Sequence, residues 1–286
     1  MKFKVIADSC CDTTDKIRQD LELELVPLKI LLAQDIEYLD SLDLDVSAMI
    51  DEMNQSASVK TACPSIEDYV EYMHRYDNLF IVTIAHFLSG SYNAAIAARE
   101  LVLEEFPDKT IHVFDSLNAS AGELNIVLFI NSLISKGLSF EEIIVETNTY
   151  INSLVTLFVL EDLSNMIKNG RMSRITERVA SILNIYPVLG KRDTNEIRMM
   201  AKVRGLSNAF DRMTESVSRW TEELPAESII VTLSHCDAAV RAATIKENIL
   251  MSCSAAKDVI IVPTSGVSSV YANRGGIVVS FQTKVY

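Results

Sequence analysis

Hydroxyl side chains gather in four short segments of this chain, and each stands beside a predicted strand. Asp8-Ser9 follows a strand over residues 3–7. Thr61-Ala62-Cys63-Pro64-Ser65 follows residues 58–60 and opens a helix. Leu88-Ser89-Gly90-Ser91-Tyr92 follows residues 78–85, and Asp115-Ser116 with Ser120-Ala121-Gly122 follows residues 111–114. In an open α/β sheet, ligands bind outside the carboxyl ends of the strands. Small hydroxyls and backbone N–H groups there suit an uncharged or singly anionic oxygen group. Little catalytic equipment surrounds them, so the pattern speaks first for binding and second for catalysis. Thr61 and Ser89 serve equally well as braces or caps for the helices that follow. An oxyanion at a helix N-terminus uses the same donors, so the two roles are compatible.

Several chemistries lack their signatures. There is no G-x-G-x-x-G and no G-x-x-x-x-G-K-[ST], so neither dinucleotide nor P-loop binding is indicated. H-E-x-x-H and the G-x-S-x-G elbow are also missing from the sequence. Of the four histidines, His74 reads as a surface residue and His112 as a core residue in a strand. His86 alone stands close to a hydroxyl-bearing turn. It makes a serine-dependent hydrolase or acyltransferase, with Ser89 or Ser91 as nucleophile, the alternative to a binding protein. A Ser–His pair needs an acid to fix its tautomer, and the sequence reveals none. Five cysteines (Cys10, Cys11, Cys63, Cys236 and Cys253) form no C-x-x-C pair and no zinc spacing, so no metal or cofactor is expected. Cys10 and Cys63 read as small neutral fillers of their turns. The net charge of −13 argues against nucleic acid and against electrostatic docking on anionic lipid.

The elements that position these segments form an α/β chain. Helices are predicted over residues 13–20 (capped by Asp12 or Thr13), 46–53, 91–104, 118–136 and 140–153. Another starts near Pro64, with Glu67 and Asp68 in its first turn. Residues 23–32 have strand character, and 35–45 read as a loop. Strands alternating with helices imply βαβ crossovers and a parallel sheet. Near residue 155 the pattern changes to α+β. Strands are expected over 156–160, 185–189, 196–202, 228–233, 259–262 and 276–281. Helices are expected over 161–168, 173–183, 207–223 and 238–251, with turns at 169–171 and 192–195. Pro187 marks residues 185–189 as an edge strand, because proline cannot donate to a ladder. The fold class is thus a Rossmann-like parallel-sheet domain over residues 1–155 followed by an α+β domain over residues 156–286. No apolar run is long enough for a leader or a bilayer span. A cytoplasmic protein with reduced thiols and no stable membrane insertion is expected.

Taken together, the motifs resemble the DegV family of bacterial fatty-acid-binding proteins over nearly the whole chain. Asp8-Ser9 with Asp12 is similar to the family's D-S-x-x-D, and Thr61–Ser65 to its T-S-x-P-S turn. Leu88–Tyr92 resembles L-S-G-T-Y, and Asp115-Ser116 with Ser120 and Gly122 resembles D-S…S-x-G. Leu163 with Asn169-Gly170-Arg171-Met172-Ser173 resembles the L-x-x-x-x-x-G-G-R-I-S stretch, and Lys202-Val203-Arg204-Gly205 resembles K-x-R-G. Each motif alone is weak; six in the family's order are specific.

The resemblance implies a long-chain fatty acid held between the two domains, and no other cofactor. It implies that the carboxylate meets Thr61 and Ser89, with Gly90 and Ser91 close by. Ser9, Ser116 and Arg171 complete the ligand-binding set. Asp8 and Asp115 are expected to brace turns by accepting backbone N–H groups. Arg171 meets the head group, faces a partner or is solvated. Kinase-coupled family members present the acid to a fatty acid kinase that phosphorylates its carboxylate, so such a kinase is the implied partner. Those members carry a histidine in a C-terminal glycine-rich segment. The corresponding residues here, Pro263–Tyr271, contain none, and none follows His235. Binding therefore carries over better than phosphotransfer.

Overall fold

A computed structural model of the chain describes residues 3–172, 184–192 and 196–285. The chain divides into two compact units. One comprises Met1–Ile151 with Ser265–Ser268, and the other Asn152–Thr264 with Ser269–Tyr286.

The first unit is built on a four-stranded parallel sheet in the order β2-β1-β6-β7. Its strands are β1 (Lys4–Asp8), β2 (Glu24–Val26), β6 (Asn78–Thr83) and β7 (Thr110–Asp115). Ile6, Leu79, Ile81, Ile111 and Val113 turn one face toward Tyr69 and Met73 of α3 (Ile66–His74) and toward Ala95, Ala98 and Val102 of α4 (Ser91–Glu105). On the other face Phe80 stacks on Phe114 and on Phe140, the first residue of α6 (Phe140–Ser153). Helix α5 (Ala121–Ser135), buried through Val127 and exposed at Ser132 and Ser135, contacts β1 and β6. This is the alternating α/β layering expected from the sequence.

Four local readings need correction. Residues 23–32 form two strands, β2 and β3 (Lys29–Leu32), because Pro27 interrupts the ladder. The acidic stretch at 35–45 contains β4 (Glu37–Leu39). With β3 and β5 (Val59–Ala62) it forms an antiparallel sheet in the order β4-β3-β5. The cap of α1 (Asp15–Asp20) is Thr14, whose Oγ1 accepts from Ile17 N at 3.2 Å. Helix α3 is capped by Ser65 in a reciprocal capping box with Asp68, so Pro64 stands outside it. Helix α2 (Val46–Gln55) starts from Asp45, whose carboxylate accepts from Ala48 N.

The second unit contains a six-stranded mixed sheet in the order β10-β9-β8-β13-β11-β12. The strands are β8 (Leu154–Val159), β9 (Ile185–Lys191), β10 (Arg198–Arg204), β11 (Ile229–His235), β12 (Ala256–Pro263) and β13 (Ile277–Gln282). Helices α7 (Ser164–Lys168), α8 (Leu206–Trp220) and α9 (Ala239–Ser252) accompany it. Contrary to expectation, β9 is an interior strand. Pro187 is nevertheless tolerated, since β8 pairs with β9 only at Leu189–Lys191, while Pro187 faces Lys202 of β10. The helix expected over residues 173–183 and residues 193–195 of the expected turn lie outside the described residues. A short helix that the pattern did not suggest, α10 (Gly266–Ala272), begins in the segment belonging to the first unit. Among the described residues, no helix is long and apolar enough to cross a membrane.

Candidate functional site

In the first unit the strand order reverses between β1 and β6, which makes their carboxyl ends a topological switch point. Asp8 closes β1 there. It is fully buried, and its two carboxylate oxygens accept from Cys10 N at 3.1 Å and from Ile84 N at 2.9 Å. It therefore staples the β1 turn to the β6 turn, as a bracing carboxylate does. Asp115 does the same for β6 and β7, accepting from His86 N at 3.2 Å and Leu117 N at 3.1 Å.

Asp115 also supplies what the sequence did not reveal. Its second oxygen lies 2.5 Å from His86 Nδ1, so His86 has an acid partner after all. The pair orients the imidazole, which is 46% exposed at the protein surface. Ser89 is engaged elsewhere: its Oγ lies 3.2 Å from Ser91 Oγ and accepts from Ser91 N at 3.3 Å.

The Thr61–Ser65 and Leu88–Tyr92 segments come together. A Cβ built on Gly90 would lie 3.1 Å from Cys63 Sγ. Thr61 itself is in β5, opposite Ile30, one step before the turn. Gly90 is the N-cap residue of α4 and offers no side chain there; Ser89 Oγ instead accepts from Ser91 N, the first N–H of the helix. Ser91, the first residue of α4, is fully buried.

The other anticipated ligand residues are placed differently. Ser9 Oγ donates to Asp40 at 2.8 Å and accepts from Leu28 N at 3.0 Å. Ser116 Oγ donates to Asn118 O at 2.9 Å and accepts from Asn118 N at 3.0 Å. Both hydroxyls are buried; Ser9 ties its turn to Leu28 and Asp40, while Ser116 serves its own turn. Arg171 belongs to the second unit and donates to Asn169 O beside Gly170, whose φ of +75° makes the turn.

Behind the hydroxyl turns stands a group of buried acids. Asp12 accepts from Ser265 N at 2.8 Å and from Ser120 Oγ. Asp40 accepts from Gly266 N at 2.7 Å, Val267 N at 3.0 Å and Ser9 Oγ. Glu123 in the first turn of α5 is fully buried and faces Asp8, Asp12 and Cys10. Burial raises Asp8 and Asp40 to about 6 and pushes Glu123 well above the usual carboxylate range. Burial, and then the neighbouring carboxyls, push the Cys10 and Cys11 thiols up, so neither is an activated nucleophile. His112 in β7 packs against Phe114 and Phe140; burial lowers it to about 4, which keeps it a neutral core residue. Among the described residues, no group of His, Cys, Asp and Glu has the arrangement to hold a metal ion. In the second unit a surface groove between α8 and α9 is lined, among the described residues, by Asp211, Glu215 and Glu222 against the one cation Arg219, a balance that disfavours an anionic head group.

The site signal that sequence reading missed is therefore acidic. Asp40 and Glu123 fall in no motif that announces them, and only the fold shows that both are buried.

The chain matches the family described as "uncharacterised protein, DegV family" over residues 2–284. A DegV domain-containing protein of Streptococcus gordonii is 33% identical, covering 99% of each chain. A DegV family protein of Ruminococcus gnavus, solved with vaccenic acid, is 36% identical with a TM-score of 0.91, covering 98% of this chain and 99% of that one. The Streptococcus pneumoniae Fatty Acid Kinase (Fak) B3 protein, loaded with linoleic acid, is 32% identical with a TM-score of 0.88, covering 99% and 100%. With its fold, its ordered motifs and these relatives in agreement, this chain belongs to the DegV family.

Proposed function

We propose that this protein binds a long-chain fatty acid as a cytosolic carrier with no chemistry of its own. The carboxylate is held by Thr61 and Ser89 with the Gly90 and Ser91 backbone beside them. On this reading the domains run over residues 1–155 and 156–286, with the first also taking in Ser265–Ser268. The observation that carries it is the meeting of the Cys63 and Gly90 turns at the switch point. It does so in a family whose solved members with 36% and 32% identity hold vaccenic and linoleic acid. Energetics assign the parts. A buried methylene is worth about 0.8 kcal/mol, so a tail of about fifteen carbons gains on the order of 12 kcal/mol gross. A hydrogen bond to a charged group nets about 1.5–3 kcal/mol. The tail sets affinity, and the hydroxyls set which end is recognised.

A serine hydrolase is the weaker reading. His86 has its acid in Asp115, but the Ser89 hydroxyl is paired with Ser91 rather than with the imidazole. Native mass spectrometry of the purified protein separates the two. A co-purifying mass of a fatty acid supports the carrier. A covalent adduct on Ser89 after fluorophosphonate treatment supports the enzyme and removes the carrier as sole function.

The similarity to the Fak B3 protein supports presentation of the acid to a fatty acid kinase. Residues 263–271 contain hydroxyls and a tyrosine but no cation to meet the charge that builds in phosphoryl transfer. Acyl-phosphate formation with a kinase that relies on a histidine in that segment is expected to be poor. Turnover equal to that of a histidine-bearing relative, measured with ATP and oleate, overturns this expectation.

A further inference from the structure

The hydroxyl turns lead inward to a buried pair of acids, Asp8 and Glu123. Ser89 Oγ lies 3.2 Å from Ser91 Oγ, and buried Ser91 faces both the Asp8 carboxyl and the Tyr69 hydroxyl. Asp8 in turn faces Glu123. Both Glu123 oxygens and the Tyr69 hydroxyl are buried without a well-formed hydrogen bond. They reach this place from different helices, α5 and α3. Two carboxyls buried side by side with no cation between them cannot both stay ionised, so the pair holds a proton. The arrangement has no metal-holding geometry among the described residues. A proton shared by Asp8 and Glu123 suits such a place.

We infer that Asp8 and Glu123 form a proton-binding site behind the head-group turns, which takes up a proton from solvent when a carboxylate docks at Ser89 and Ser91. The inference rests on the carrier reading. A docked carboxylate adds a negative charge one hydroxyl away from two carboxyls. The groups acting most on Asp8, Asp40 and Glu123 are burial, backbone N–H groups, hydroxyls, a thiol and one another; no lysine or arginine stands among them. Protonating the pair removes the excess charge.

Every element packed around Asp8 and Glu123 bears on the assignment. The loop after β1 contributes Cys10, Cys11 and Asp12, the turn before α3 contributes Cys63, and α3 contributes Tyr69. Burial holds the two thiols of that loop and the phenol neutral. Asp12 is held by Ser265 N and Ser120 Oγ. Glu123 keeps its proton, since burial pushes it well up. Asp8, at about 6, is the member that changes charge near neutrality. Asp40 titrates in the same range, but its bonds run to Ser9, Gly266 and Val267, and it serves as the control.

The test is calorimetric titration of the lipid-free protein with hexadecanesulfonate, whose head group keeps its charge over the range, and with hexadecanoate. Each is run in two buffers of different protonation enthalpy. We expect uptake of a fraction of a proton per sulfonate. Affinity should rise about fivefold from about pH 8 to pH 6, the effect of raising a midpoint of about 6 by one pKa unit. Uptake should vanish in Asp8→Asn, fall in Glu123→Gln and persist in Asp40→Asn. Carboxyl carbon NMR of the unmutated protein reads the same event, as an Asp8 midpoint that rises on binding. Sulfonate binding without uptake, uptake that survives Asp8→Asn, or an unmoved midpoint overturns the inference and leaves the carrier intact. Failure of both ligands to bind removes the carrier and the inference with it.

Discussion

Gly90 and Cys63 stand so close that a methyl group on the glycine would come within 3.1 Å of the thiol. This contact joins two turns separated by two elements of chain, α3 and β6, and it fixes the spacing of the hydroxyls on either side. Because Gly90 has φ −76°, an alanine there carries no backbone penalty. Gly90→Ala should cost about 1 kcal/mol or less, since the thiol can shift. Gly90→Val should cost about 1–3 kcal/mol by overpacking. Cys63→Ala should restore part of either loss. Strictly additive effects in a double-mutant cycle, read from urea unfolding, count against the contact.

Thr61→Val combined with Ser89→Ala should weaken fatty-acid binding by a few kcal/mol at most, with the fold unchanged. Two head-group donors vanish while the apolar contacts stay. Calorimetry with oleate checks this, and an affinity equal to that of the unmutated protein removes both residues from the site.

Asp40 collects three donors from Ser9, Gly266 and Val267. Asp40→Ala leaves all three without their acceptor, at about 1–3 kcal/mol for each group that water cannot reach. Gly266→Ala attacks the same contact from the other side, since its Cβ would lie 2.7 Å from Asp40 Oδ1 and 2.6 Å from Leu44 Cδ2. Both variants should lower the thermal midpoint by several degrees. An unchanged midpoint for Asp40→Ala would sink the claim that this carboxylate holds residues 265–268.

Stability should rise as pH falls from about 7.5 to 5. Burial raises Asp8 and Asp40 from 3.8 to about 6, so the folded chain binds protons that the unfolded chain releases. Their contribution is fully present below the unfolded value and is lost as pH rises through about 6. Each is worth up to about 3 kcal/mol. Glu123, pushed up by burial, adds to this gain, while His112, which burial lowers to about 4, and His235, lowered likewise, oppose it below about 6.5; Glu24 and Asp258, whose values are lowered, act only at more acid pH. Urea midpoints should be higher at about pH 5 than at pH 7.5, and Asp40→Asn should flatten the difference. A midpoint that falls across that interval contradicts the assignment.

The parallel sheet and its helices were legible because each strand runs straight into a turn and each helix shows its period. The sheet β4-β3-β5 was not, because its strands are short and β4 is polar and half exposed. Pro187 misled, since proline excludes a neighbour on one side of one residue and not along a whole strand. The hydroxyl turns were legible from the family motifs. Which hydroxyls are committed was not: Ser9 is bound by Asp40, a residue 31 positions away in an unremarked loop. For the same reason Asp115 was not seen as the acid of His86, 29 positions earlier. Partners of this kind depend on which strands become neighbours, and no spacing rule encodes that.

The first unit includes Ser265–Ser268, so its interior is not a continuous stretch of chain. The N–H groups that satisfy Asp40 come from 226 and 227 positions farther along, and the one that satisfies Asp12 from 253. During synthesis the N-terminal portion emerges from the ribosome with both carboxyls lacking these donors. It can finish only after almost the entire polypeptide has been made. A nascent chain halted after residue 151 should therefore stay protease-sensitive, and the order of translation, rather than a linker, delays its completion.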